Sequence, residues 1–175
     1  MRDGFKGGME LDESIEVAKI LERLGADAIV LSGGFVSKAP MYVLRGVMPV
    51  KILAHFMENN MMKLFVGLLG NQMIKKENFS EAYFIEDALK FRSQLKLPLV
   101  YVGGLLSHEK IEEVLGKGFE MVAIARALIK DPDFINKLLH QSQSRSSCDT
   151  CNYCVAAMYS RNVTCIQNEN VQPEI

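Results

Sequence analysis

Apolar and polar positions follow two rhythms along this chain. Residues 11–24 place Ile15, Ala18, Leu21 and Leu24 on one helical stripe, joined by Val17 and Ile20. Asp12, Glu13 and Glu16 fall in the first turn, where acidic side chains complement the helix dipole. Gly25 follows as a natural stop. Residues 26–31 (ADAIVL) then run with almost no polar alternation, as expected of a strand covered on both faces, and end at Ser32, Gly33 and Gly34. The same grammar returns twice. A helix over residues 80–95, with Ser80 as N-cap, leads through Pro98 into an apolar run at 99–102 that stops at Gly103 and Gly104. A helix capped by Ser107, carrying Ile111, Val114 and Leu115 on one face, ends at Gly116 and Gly118. It leads into a run at 121–125 that stops at Arg126.

Between residues 35 and 72 the pattern is weaker. Residues 51–57 suit a helix, while 63–69 (KLFVGLL) fit a strand and a buried helical turn equally well. Further on, Asp131-Pro132 places a good N-cap before a proline at the first helical position, and Ile135, Leu138 and Leu139 continue that last helix. Helices alternating with buried strands predict an α/β fold with a parallel sheet and right-handed crossovers. The order alone suits a barrel segment and an open doubly wound sheet equally. The Ser-rich stretch 141–147 (QSQSRSS) divides the chain into residues 1–140 and a C-terminal segment, 141–175.

Composition narrows the function classes. At 175 residues and 49% apolar content the chain suits one globular domain. A formal net charge of -1 gives no basis for a nucleic-acid or anionic-membrane partner. The most apolar run, residues 61–70, contains Lys63 and falls well short of the roughly 20 residues that span a bilayer. No export-signal pattern opens the sequence, so the expected compartment is the cytoplasm. All four cysteines lie between Cys148 and Cys165, a clustering that suits a metal site in a reducing compartment better than a disulfide framework.

Two groups of residues can carry chemistry. Adjacent parallel strands ending at Gly103-Gly104 and at Ala125-Arg126 would deliver both pairs to one sheet edge. There, free backbone N–H groups, the start of the helix near Ser107 and a guanidinium can hold a phosphate. Read more plainly, Gly-Gly makes a tight turn and Arg126 is a surface charge. The second group is Cys148, Cys151, Cys154 and Cys165, spaced C-x2-C-x2-C-x10-C, a donor set for zinc or for a four-iron cluster. His55, His108 and His140 are scattered, with no partner suggested by spacing, and the methionines suit adaptable core filling.

The combination of DGFKGG, LDESIEVAKILERLGADAIVLSGG, VYVGG, VAIARALIKDPDF and CDTCNYC resembles the C-terminal half of the NADH:flavin oxidoreductases, the old yellow enzyme and 2,4-dienoyl-CoA reductase group. That resemblance implies the C-terminal part of a (β/α)8 TIM barrel, strands six to eight, with FMN as cofactor and NAD(P)H as electron donor. The FMN phosphate would fall to Gly103, Gly104, Ala125 and Arg126; the family usually has Gly-Arg where this chain has Ala125-Arg126. Cys148, Cys151, Cys154 and Cys165 would hold a 4Fe-4S cluster, with zinc as the alternative; the family usually places one more residue between the second and third cysteines. The substrate implied is an enoyl compound or other activated alkene.

The resemblance also implies a missing first half, where the family keeps its proton donor and flavin-ring contacts, so no catalytic residue is named. A barrel typically needs 200 residues or more. The chain is expected to be a fragment that self-associates or pairs with an N-terminal barrel half, since unpaired sheet edges are sticky. Two alternatives stay open: a phosphate-binding isomerase or lyase segment, and a non-catalytic metal-binding chain.

Overall fold

The computed structural model describes residues 1–35, 37–55, 57, 59–73, 77–156 and 163–168. In chain order the elements are α1 (Leu11–Arg23), β1 (Ile29–Leu31), α2 (Pro40–Leu44), α3 (Val50–His55), α4 (Asn60–Met73), α5 (Ile85–Arg92), β2 (Leu99–Val102), α6 (His108–Gly116), β3 (Met121–Ala123), α7 (Arg126–Lys130), α8 (Phe134–Leu139) and α9 (Tyr153–Ala156), followed by a 3-10 turn at Ile166–Asn168. The three strands form one parallel sheet in the order β1-β2-β3. The fold is therefore α/β, and the three apolar runs read from the sequence are its strands. The first and third are shorter than expected, starting at Ile29 rather than residue 26 and ending at Ala123 rather than residue 125.

Register explains the burial. Leu31 pairs with Tyr101 and Tyr101 with Val122, so these side chains share one face, while Val30, Val100 and Met121 share the other. Leu31, Leu99 and Tyr101 are fully buried beneath α1, α5, α6 and α8, whose Ile15, Ala88, Phe91, Val114 and Phe134 complete the core. The opposite face is far less covered, with Val30 57% and Met121 47% exposed. Val17, Ile20, Leu21 and Leu24 of the α1 stripe also lie exposed, so only its Leu11–Ile15–Ala18 side is packed.

Several local expectations are corrected. The helix expected from Ser80 starts at Ile85, because residues 81–84 turn instead, with Ala82 at φ 54° and Glu81 directed elsewhere. Residues 63–69 are neither strand nor buried turn but part of α4, whose Met61, Leu64 and Leu68 are strongly exposed. In α8 the N-cap position falls to Asp133, whose side chain makes no capping hydrogen bond, while Asp131 accepts from the Asp133 N–H and from Lys137. Ser107 is the cap expected, accepting from the Lys110 N–H at 3.3 Å. The polar stretch 141–147 does not hang free. His108 N–H donates to Ser144 O at 2.8 Å and Ser146 N–H to Leu106 O at 2.7 Å, fastening the cysteine segment to the start of α6.

Carboxylates tie down the approaches to β2. Glu120 accepts from the Leu99 N–H at 2.7 Å, and Glu22 from Lys96 and Leu97 N–H at 2.6 and 2.8 Å. These backbone hydrogen bonds hold both carboxyls below their ordinary pKa. A depressed folded-state pKa means stability that is present above the unfolded carboxylate value, about 4.3, and lost as pH falls through the folded one. The urea midpoint should thus stay flat from about pH 7 to 5 and drop below about pH 4, and Glu120→Gln should flatten that drop.

Candidate functional site

The pairing of Val102 with Ala123 brings the ends of β2 and β3 side by side, so Gly103-Gly104 and Ala125-Arg126 meet at one sheet edge. Gly104 has φ +72°, and a Cβ there would lie 2.5 Å from Tyr83 Cε1 and 3.0 Å from Phe79 Cε2. Only glycine lets the turn bend this way under that aromatic pair. Ala125 has φ −112° and is exposed, so its side chain is no obstacle to offering its N–H. Among the described residues, none of the Gly103, Gly104 and Ala125 N–H groups donates to a turn or loop carbonyl.

Arg126 is held from three sides. Its guanidinium lies 5.5 Å from the centre of the Phe79 ring, and its Nη1 donates to Asn152 Oδ1 at 2.7 Å. It also neighbours the Tyr83 phenol, whose pKa burial raises and the Arg126 charge opposes. Tyr83 in turn donates to Val43 O at 2.7 Å. Asn152 is 1% exposed, and its Nδ2 donates to both Arg45 O and Val47 O at 2.9 Å. Between those two residues, Gly46 comes so near that a Cβ would sit 2.9 Å from Thr150 O.

One expected contributor is committed elsewhere. The start of α6 does not face an incoming anion, because the Glu81 carboxylate takes the Leu106 N–H at 3.0 Å and the Ser107 N–H and hydroxyl at 2.9 Å each, while Arg145 pairs with its other oxygen. Burial works to raise the Glu81 pKa, but these donors outweigh it and hold the carboxyl below its ordinary range. A helix N-terminus already satisfied by a carboxylate has little left to offer a phosphate.

The four cysteines are free thiols, each half-buried. Among the described residues, no three or more side chains of His, Cys, Asp or Glu gather so as to hold a metal ion. Cys148, Cys154 and Cys165 are near enough that, after burial, their mutual charge raises the Cys154 pKa; burial first pushes Cys151 up to about 12. His108, read as lacking a partner, has Glu112 one helical turn on, with Nε2 3.8 Å from Oε1, both on the surface.

No family model matches the chain. Over 163 residues it is 37% identical to the 4,4'-dithiodibutanoate disulfide reductase of Rhodococcus erythropolis, matching 91% of this chain and 40% of that protein. The chain is a relative of oxidoreductases. It is also 25% identical over 167 residues to the bilirubin reductase of Mediterraneibacter gnavus, matching 93% of this chain and 22% of that protein. With the NADH oxidase of Thermoanaerobacter brockii the identity is 21% over 161 residues, matching 90% of this chain and 20% of the relative. The chain thus spans less than half the length of each of these relatives.

At the sheet edge the Gly104 and Ala125 N–H groups donate to no turn or loop carbonyl among the described residues, and the Arg126 guanidinium is held beside them, an arrangement whose chemistry suits a phosphate. The cysteines carry the donor chemistry of a metal centre, but as placed they do not fit a closed site. Asn152, Phe79, Tyr83 and Glu81 are residues that sequence reading missed. Asn152 stands between two cysteines with φ 61°, a conformation asparagine tolerates well, which is the one local signal that could have marked it. The spacing of Phe79, Glu81 and Tyr83 gave no sign that they fold back over Gly104 and Ser107.

Proposed function

We propose that this chain supplies the phosphate-binding part of an FMN-dependent NAD(P)H oxidoreductase of the old yellow enzyme and 2,4-dienoyl-CoA reductase kind, built on a TIM barrel. The observation that carries this reading is the likeness to named reductases over 91% of the chain, a span wide enough to include the sheet edge built from Gly103, Gly104, Ala125 and Arg126. When bound, FMN would supply hydride transfer from the nicotinamide to an activated acceptor. This chain's part is to fix the cofactor's phosphate end: Gly104 and Ala125 offer N–H groups, and Arg126 neutralises charge from a position fixed by Phe79 and Asn152. The acceptor class proposed is an activated alkene; the disulfide and bilirubin in the relatives' names mark the breadth of acceptors to be tested. The cysteine segment enters as a candidate 4Fe-4S or zinc site on its spacing alone.

The test is the visible spectrum of the purified chain after incubation with FMN and desalting, together with its iron and zinc content. Retained flavin supports the reading; protein that comes through colourless contradicts it. We also propose that the exposed face bearing Val30 and Met121 is covered in the working protein by further barrel strands or by a second copy. The chain alone should sediment as species larger than its 19.6 kDa monomer, and a stable monomer across concentrations would contradict this.

A further inference from the structure

Asn152 joins the two candidate centres by a direct hydrogen bond. Its backbone lies between Cys151 and Cys154, and its side chain is fully buried. Each of its amide atoms is used: Oδ1 accepts from Arg126 Nη1 at 2.7 Å, and Nδ2 donates to Arg45 O and Val47 O at 2.9 Å. A buried amide with three partners of this geometry has one orientation, because any rotation strands a donor or an acceptor away from water. Gly46 seals the arrangement, since its Cα approaches Thr150 O too closely for a side chain. Thr150 and Asn152 have φ 59° and 61°, so the loop around Cys151 is wound tightly, and the winding aims the amide at Arg126.

We infer that Asn152 is a positioning residue that couples the conformation of the cysteine segment to the anion-binding posture of Arg126. The inference rests on the phosphate reading of that edge. Two sites that share a hydrogen-bonded element influence each other reciprocally: what orders the cysteine loop orients the guanidinium, and an anion on the guanidinium orders the loop. Arg126 has a second restraint in Phe79, so loss of the amide loosens the guanidinium without removing it from the edge.

The experiment compares wild type, Asn152→Ala, Arg126→Ala and the double variant in two measurements. In the first, FMN and riboflavin, which differ by the phosphate, are titrated by calorimetry. Asn152→Ala should reduce the preference for FMN over riboflavin by about tenfold, approaching Arg126→Ala, the size expected for a charge-assisted hydrogen bond losing its geometry. A residue of purely structural importance would weaken both flavins equally, and that result overturns the proposal. In the second, amide hydrogen exchange is followed over residues 146–156. Arg126→Ala alone should speed exchange there severalfold, and the double variant should be no faster than Asn152→Ala. Unchanged exchange in Arg126→Ala, or effects that simply add, overturns the coupling. If Asn152→Ala does not fold, the Arg126→Ala exchange result still decides. If wild type shows no preference for FMN, the phosphate reading fails, and exchange alone decides the coupling.

Discussion

Arg126→Ala should weaken FMN binding about 10- to 100-fold while leaving riboflavin binding nearly unchanged. Hydrogen bonds to charged groups are worth about 1.5–3 kcal/mol, and each 1.4 kcal/mol is a factor of ten in affinity. The effect belongs near the top of what one side chain can give because the guanidinium is already ordered. Its Nη1 is committed to Asn152, and its plane rests near Phe79, so little further freedom is lost when a phosphate arrives. Arg126→Lys should recover only part of the loss, because an ammonium cannot serve Asn152 and a phosphate in one plane. Removing Arg126 also leaves Asn152 Oδ1 without its donor, so both flavins should be titrated well below the melting temperature of the variant. Calorimetric titration with the two flavins separates the phosphate contribution from any general loosening.

Gly104→Val should be the most damaging single change to the fold at this edge, at roughly 3–5 kcal/mol. Two effects combine. A β-branched residue at φ +72° is strained by about 1–3 kcal/mol, and a Cβ 2.5 Å from the Tyr83 ring forces overpacking of similar size. Tyr83 cannot simply swing aside, since its hydroxyl is bonded to Val43 O and its ring packs edge-on to Phe84 at 4.6 Å between centroids. For a domain of this size the change should lower the melting temperature by roughly 10 °C. Gly116→Ala is the control: nothing lies within 4 Å of a Cβ there, and the helical position should gain up to about 1 kcal/mol. Thermal melts of the two variants test the comparison, and a Gly104→Val protein as stable as wild type would contradict the packing described.

What the sequence made legible follows a physical divide. β1, β2 and β3 were readable because parallel strands buried under helices appear as short apolar runs, and Gly103-Gly104 because a turn under packed aromatic rings tolerates no side chain. α1 and α6 were readable from their helical stripes and, for α6, from its serine cap. α4 was not, because an apolar helix whose Met61, Leu64 and Leu68 remain exposed has no polar face to set its period. The candidate site divides in the same way. Its strand ends could be placed from local pattern. The clasp of Asn152 on Arg126 and the diversion of Glu81 to the start of α6 join residues 25 or 26 positions apart, and local pattern does not reach that far.

The central claim is that the edge formed by Gly103, Gly104, Ala125 and Arg126 recognises the phosphate of FMN. Calorimetric titration of the wild-type chain with FMN and with riboflavin tests it most directly. The account predicts tighter binding of FMN by about tenfold or more, the worth of one charge-assisted hydrogen bond at that edge. Equal affinity for the two flavins would contradict it.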